Sequence, residues 1–124
     1  MTNRCESHLD VVDTTYSGYR MHGRLVVVKL SGAAVSSLAP RPDLLSQVGV
    51  AGVVPFDCGD AGVGARALAV SILADHCGSD ASALAHHEAY RWDVIARLPA
   101  ARAWMLRDRS IAAWLARQEA EAAS

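Results

Sequence analysis

This sequence has no Cys-x-x-Cys pair, no long apolar run and almost no net charge. The three cysteines, Cys5, Cys58 and Cys77, are an odd number without a Cys-x-x-Cys pair, which disfavours a disulfide framework and favours a reducing compartment. No run reaches the roughly 18 apolar residues that a membrane-spanning helix needs, and residues 1–10 lack the apolar core of a signal peptide. The 12 basic and 13 acidic residues give a net charge of -1, so no overall field attracts nucleic acid or an anionic membrane. These deficits predict a soluble cytoplasmic protein that does not bind membranes.

The sequence does have enough apolar residues for one core. Of the 124 residues, 52% are apolar, a size and composition typical of a domain that folds without disulfides or metal. We therefore predict a single domain over residues 1–124, with residues 1–14 and 119–124 as flexible tails.

Residues 16–30 have the pattern of a β-hairpin. Tyr19 and Met21 alternate with polar neighbours, and residues 25–28 form a mostly β-branched run that is apolar on both strand faces. His22-Gly23 lies between the two runs, and both residue types tolerate the positive φ that a two-residue hairpin turn requires. The pattern predicts a hairpin whose second strand is the more buried.

The next segment carries weaker signals. Residues 33–38 suit a short helix or a turn, and the prolines within residues 39–43 force extended backbone, which predicts a rigid connector. Residues 48–56 are apolar but contain two glycines and a proline. This composition suits a short edge strand or an ordered loop better than a central strand.

From residue 64 onward the pattern is helical. Residues 65–76 are apolar nearly all round, which predicts a buried helix, and Gly78 is its expected end. A second helix, capped by Ser79 or Asp80, is expected to extend to about residue 98.

A third helix, capped by Asp108 or Ser110, follows in the C-terminal segment. These patterns predict an α+β fold: a small antiparallel β-hairpin or three-stranded sheet packed by about three α-helices. The apolar faces of the hairpin and the helices require one shared partner surface. The predicted core members are Val26, Val28, Leu68, Ile72, Leu73, Trp92 and Ile95.

Metal-ligating and nucleophilic residue types are present without the spacing that their chemistry needs. Cys58, His76, Cys77, His86 and His87 include ligand types that zinc accepts. Neighbouring residues on a helix point about 100° apart, however, so no closed tetrahedral set follows. The sequence has no Gly-x-Ser-x-Gly elbow and no recognisable pair of nucleophile and base. We therefore predict no catalytic residue, no metal and no cofactor, and hence a protein that is not an enzyme.

The glycine-rich loop of residues 59–64 has two interpretations. Helix N-termini bind anions through free N–H groups, yet no Gly-Lys-Ser/Thr follows, and Asp57 and Asp60 would repel a phosphate. In the structural alternative, which we favour, the glycines let the chain turn tightly and the helix pack close to the sheet. The two aspartates then form an accessible acidic tip, a position that suits recognition of a partner.

A local excess of arginine marks the C-terminal third. Five arginines stand against only Asp93 and Asp108 in the same span, which suits contact with an acidic protein surface or with phosphates. Glu88 lies in the apolar stripe of its helix and is predicted to pair with Arg91, three residues on. The candidate binding residues are Arg91, Arg97, Arg102, Arg107 and Arg109, together with Asp57 and Asp60.

Three motifs resemble those of a known family. Gly18-Tyr19-Arg20 precedes the valine run, Phe56 precedes the glycine-rich loop and its alanine-leucine helix, and residues 90–99 begin a tryptophan-containing C-terminal third. These motifs are similar to those of an uncharacterised domain-of-unknown-function family of bacteria, phages and plasmids, over about residues 16–115. The chain departs from that family's pattern at Cys58 and Asp60, where members usually carry aromatic residues. The resemblance implies a shared fold and an association with mobile elements, but no reaction.

Together these features favour non-catalytic binding of a protein. The resemblance implies an accessory gene of a phage or other mobile element, and inhibition of a host defence complex is one version of that role. The alternative is a nucleic-acid-binding domain that uses the basic region of residues 91–109.

Overall fold

The computed structural model describes residues 13–123 and contains four strands and four α-helices in that range. In chain order the elements are β1 (Thr14–Met21), β2 (Arg24–Ser31), β3 (Ala34–Ser37), α1 (Pro42–Gln47), α2 (Val63–Cys77), α3 (Asp80–Asp93), a 3-10 turn (Ile95–Arg97), β4 (Trp104–Arg107) and α4 (Asp108–Ala123). The strands form one antiparallel sheet in the order β3-β2-β1-β4. The predicted α+β class is confirmed, and the sheet has one strand more than the largest predicted sheet.

Two-residue turns join the first three strands. His22 (φ 52°) and Gly23 (φ 79°) connect β1 to β2, as predicted, because positive φ at both positions matches the twist of the paired strands. Gly32 (φ 62°) then reverses the chain directly after β2. The prediction of a short helix or a turn over residues 33–38 therefore misses β3, since the early reversal returns this segment alongside β2.

A proline starts a helix where the sequence predicts only a rigid connector. Pro42 lies in the first turn of α1, where its missing N–H costs nothing because first-turn N–H groups lack partners within the helix. Leu44 and Leu45 of this helix are buried in the core. Residues 48–56 contain no strand and form a loop, which is one of the two predicted alternatives.

Helix α2 is buried along most of its length, as predicted. Residues 67–74 are all buried, together with Ala65. Gly78 (φ 62°) follows the helix in the left-handed conformation, which glycine adopts without strain. The side-chain oxygen of Ser79 accepts a hydrogen bond from the N–H of Ser82 at 3.2 Å and caps α3, also as predicted.

The buried side of α3 differs from the predicted one. Trp92 is 57% exposed, whereas Ala83, His87 and Tyr90 are buried at helical spacing. Tyr90 takes a core position because its ring packs edge-on against Trp114, with 4.9 Å between ring centroids. Trp92 therefore does not join the predicted core. The other helical members of that core are buried as predicted: Leu68, Ile72, Leu73 and Ile95.

The region after α3 contains a strand that the sequence pattern does not predict. Helix α3 ends at Asp93, before the expected residue 98, and β4 pairs with β1 so that Trp104 lies opposite Gly18. Helix α4 follows at once and begins at Asp108, so Asp108, one of the two predicted capping residues, is the first residue of the helix and not the residue before it.

The predicted flexible tails are described only in part. Residues 119–123 belong to α4, and β1 already begins at Thr14. Residues 1–12 and 124, which include Cys5, lie outside the described residues.

Two substitutions test the observed orientation of the helices. Leu73 is fully buried, so Leu73→Ala should lower the free energy of unfolding by about 2–5 kcal/mol through lost contacts and a cavity. Trp92→Ala is the control, because truncation of an exposed ring should cost less than about 1 kcal/mol. Urea denaturation followed by circular dichroism measures both. A cost for Trp92→Ala as large as that for Leu73→Ala would contradict the observed face of α3.

The space beside Gly18 is filled by the ring of Trp104, which lies opposite it on β4. A Cβ at Gly18 would overlap the indole, so we expect Gly18→Ala to destabilise the protein by about 1–3 kcal/mol. In a Trp104→Leu background the same substitution should cost much less, because the smaller side chain leaves room. Equal costs in the two backgrounds, measured by denaturation, would show that the indole is not the obstacle.

Candidate functional site

The inner face of the sheet carries the helices. Tyr16, Leu25, Val27 and Trp104 are buried on this face. The hydroxyl of Tyr16 donates to the carboxylate of Asp75 in α2 at 2.6 Å. The inner face and the helices therefore share one core.

The outer face of the sheet is apolar as well. Val26 and Val28 are predicted core members, but they alternate with Leu25 and Val27 along β2 and so point to the outer face, where they are half-buried. The prediction that they share the helical core is wrong for this reason. The strand register places five further apolar residues on the same face. The apolar members of this outer sheet face are Tyr19, Met21, Val26, Val28, Leu30, Val35 and Met105.

These outward side chains extend across all four strands: Val26, Val28 and Leu30 are half-buried, and the other four are exposed. Met21, Val35 and Met105 are 50%, 67% and 56% exposed. Val35 of β3 lies opposite Leu30 of β2, and Met105 lies on β4 at the other edge. Exposed apolar residues that adjoin across several strands are uncommon on proteins that act alone, which makes this face a candidate contact surface.

Two arginines lie at the corners of the outer sheet face. Arg24 lies opposite Met21, and Arg107 lies opposite Thr15. Both side chains are exposed, and neither guanidinium has a hydrogen bond or an ion pair with another residue in the range 13–123. No strand residue on this face is acidic. The face therefore combines apolar area with unpaired positive charge, which suits a surface that is apolar and acidic.

The predicted arginines lie on separate elements. Arg97 is in the 3-10 turn, Arg102 precedes β4, Arg107 ends β4 and Arg109 is in the first turn of α4. Arg102 precedes β4 and Arg107 is its last residue, so the two lie near opposite ends of a strand that is about 10 Å long. Of the predicted set, Arg107 is the member that lies on the outer sheet face.

Arg91 is buried, which contradicts the expectation of an exposed basic region that includes it. Its guanidinium donates to the carboxylate of Glu88 at 2.7 Å and to the carbonyl oxygen of Ala61 at 2.9 Å. The predicted Glu88–Arg91 ion pair is confirmed, and it holds the pKa of Glu88 below its usual value. Arg91 is buried because these bonds attach the glycine-rich loop to α3.

The two predicted loop aspartates have partners within the protein. Asp57 forms an ion pair with Arg20 of β1 at 2.6 Å, which holds the pKa of Asp57 below its usual value. Asp60 is exposed and accepts a hydrogen bond from the N–H of Gly62 at 2.9 Å. A Cβ at Gly64 would press on the side chain of Asp57, so glycine allows the first turn of α2 to pack against the loop. This close packing supports the structural interpretation of the glycines.

Residues 16–117, a span that runs from β1 into α4, match a family of unknown function, DUF6166. The chain belongs to this family. No curated protein and no solved structure matches the DUF6166 chain. In the part of the chain that the structure describes, no helix is long and apolar enough to cross a membrane.

The described cysteine and histidine side chains do not form a metal site. Among residues 13–123, no three His, Cys, Asp or Glu side chains are positioned to hold a metal ion together. Cys58 is buried, and burial raises the pKa of its thiol. The thiol is therefore protonated at neutral pH, which makes it a weak nucleophile.

A polar network fixes the C-terminal end of α2. Asp75 accepts a hydrogen bond from Tyr16 and forms an ion pair with Lys29 at 2.9 Å. The next residue, His76, lies 3.1 Å from the carboxylate of Asp108. Burial lowers the pKa of His76 more than the nearby carboxylates raise it, so the ring is neutral at pH 7. The network joins α2 to the sheet and to α4.

Sequence patterns alone do not identify the outer sheet face, although they contain a signal for it. Residues 25–28 are apolar on both strand faces, and the helix of residues 65–76 is apolar nearly all round. One layer of helices covers one face of a sheet. A chain with few helices and a two-sided apolar strand therefore leaves one apolar face open.

Two buried histidines give the protein a defined response to acid. Burial lowers the pKa of His76 and of His87, so below about pH 6.5 the unfolded chain binds protons that the folded chain does not. Stability should therefore fall between pH 7.5 and pH 5.5, by at most about 3 kcal/mol for the two groups. Urea denaturation at both pH values measures the loss. His87→Gln should reduce the difference between the two pH values, and a difference of zero in the unsubstituted protein would contradict the prediction.

Proposed function

We propose that the protein is a non-catalytic protein-binding module whose contact surface is the outer sheet face. The single observation that carries the proposal is the open apolar area that spans the four strands. Two of its most exposed members, Met21 and Met105, are methionines, whose flexible side chains adapt to a partner surface. Burial of this area against a partner supplies the driving force for binding.

The charge of the outer sheet face defines the partner further. Arg24 and Arg107 can pack their stems against apolar groups while their guanidinium groups meet carboxylates. A second copy of the chain would bring the same two arginines and no acidic residue on this face. We therefore infer a different protein, with an apolar contact surface bordered by acidic side chains.

Nucleic-acid binding through residues 91–109 is the weaker alternative. Binding to a phosphate backbone needs several cations along one track. Arg91 is occupied by Glu88 and Ala61, and the other four arginines are distributed over a turn, a loop, a strand and a helix. These facts favour the protein partner.

The resemblance to phage and plasmid proteins suggests the origin of that partner. We propose a host protein, with inhibition of a host defence complex as one version of the role. A module that acts by covering a partner's surface needs no catalytic group.

Paired substitutions on and off the outer sheet face test the proposal. Met105→Glu places a charge in the contact area and should reduce capture of the partner by about tenfold or more. Trp92→Glu is the matched control, because Trp92 is similarly exposed and lies on α3, away from the outer sheet face. Arg107→Glu should likewise weaken capture, and Arg102→Glu, outside the strands, should leave it nearly unchanged. The measurement is a quantitative pull-down from host lysate with the full chain.

The alternatives give different results in the same assay. Equal capture by Met105→Glu and the unsubstituted protein would remove the outer sheet face from the contact surface. Captured nucleic acid that is lost at moderate salt, with equal losses for Arg102→Glu and Arg107→Glu, would support the basic region instead.

A further inference from the structure

A groove lies at the turn end of the β1–β2 hairpin. Its volume is about 650 Å³, within the range of about 300–1,000 Å³ that is typical of ligand sites. One wall is the hairpin from Arg20 to Leu25, and the other consists of residues 53–57 with the first turn of α2. Val53 and Val63 are 70% and 51% exposed on the second wall. The groove is therefore an open apolar channel between the sheet and the loop.

The loop wall contains backbone groups without a backbone partner. Within the described part of the chain, residues 53–56 line the groove and form no backbone–backbone hydrogen bond. Pro55 also lacks an N–H, so this stretch has more free acceptors than donors. These free groups suit the backbone of an extended peptide, whose side chains would enter the apolar channel.

The charges in the groove leave one cation unpaired. Arg20 and Asp57 neutralise each other through their ion pair at 2.6 Å. Arg24 also lines the groove, and it has no ion pair with any residue in the described range. Arg24 is at the end of β2 beside the turn, and an unpaired guanidinium there suits a carboxylate on the bound peptide, because charge-assisted hydrogen bonds of this kind are strong.

We propose that this groove is a second binding site, which takes an extended apolar peptide carrying a carboxylate that pairs with Arg24. The proposal goes beyond the outer sheet face, because the apolar groups that line the groove are not members of that face. Arg24 is the residue that the two surfaces share. Val53 and Val35 therefore distinguish them, since each belongs to one surface alone.

A peptide library screened against the full-length chain tests the groove. Random eight-residue peptides are selected on the unsubstituted protein and counter-selected on Val53→Asp. We expect the enriched peptides to combine apolar residues with Glu, Asp or a required free C-terminal carboxylate. An enriched peptide and a version with its carboxylate replaced by an amide are then titrated by fluorescence anisotropy.

Two variants each remove one part of the site, and a third is the control. Arg24→Gln should weaken binding of the acidic peptide by about five- to tenfold and leave the affinity of the amide version unchanged. Val53→Asp should weaken binding of both peptides. Val35→Asp, on the outer sheet face, should weaken neither. Circular dichroism confirms that each variant is folded, which is expected because all three positions are exposed.

Three results would overturn the proposal. One is the absence of any peptide that prefers the unsubstituted protein to Val53→Asp. Another is an equal effect of Arg24→Gln on the acidic and the amide peptide, which would show that no carboxylate meets the guanidinium. The third is loss of binding with Val35→Asp, which would assign the peptide to the outer sheet face and support the proposed function without the groove.

Discussion

Burial of α2 is the constraint on which the rest of the structure depends. Residues 67–74 are all withdrawn from water, so this helix has no side that tolerates solvent and is stable only when other elements surround it. The inner face of the sheet, α1, α3 and the 3-10 turn each supply part of that cover. Gly64 allows the loop before α2 to approach its first turn closely, and the network around Asp75 holds its other end.

This cover determines which surface remains open. The buried residues of α4, Ile111, Trp114 and Leu115, belong to the same core as α2, so α4 also lies on the inner side. Within residues 13–123, the outer sheet face keeps Met21, Val35 and Met105 exposed, whereas its central valines are half-buried. The edges of the sheet are poor sites for pairing with another chain, because β3 and β4 have four residues each and β4 runs directly into α4. These features favour the face of the sheet over its edges as the surface for the association that we propose.

Local sequence patterns predict the hairpin and α2, whereas contacts between distant segments leave no local pattern from which they could be predicted. His22-Gly23 specifies its turn by its own backbone preferences, and the composition of α2 requires burial whatever covers it. Trp104 to Arg107 form a strand only because β1, far away in sequence, offers partners. The buried face of α3 depends on packing of Tyr90 against Trp114, which a local pattern does not contain. His87 and Tyr90 are therefore buried, and Trp92 is exposed. The candidate surfaces share this limit: the outer sheet face and the groove exist through the arrangement of elements, not through any motif.

The two candidate surfaces are held by different forces, which suits them to different partners. The outer sheet face rests on strand pairing and on the core beneath it, so it presents a fixed shape. The groove depends on Arg20, whose guanidinium donates to Asp57 at 2.6 Å and to the carbonyl oxygen of Ala100 at 2.8 Å, and so joins the hairpin to two distant segments. Exposed ion pairs contribute little to stability and weaken with salt, so the packing of Leu25, Val54 and Phe56 on the shared core also holds the two walls in place. The outer sheet face is broad and suits the folded partner that we propose, whereas the groove is narrow and suits the proposed extended peptide.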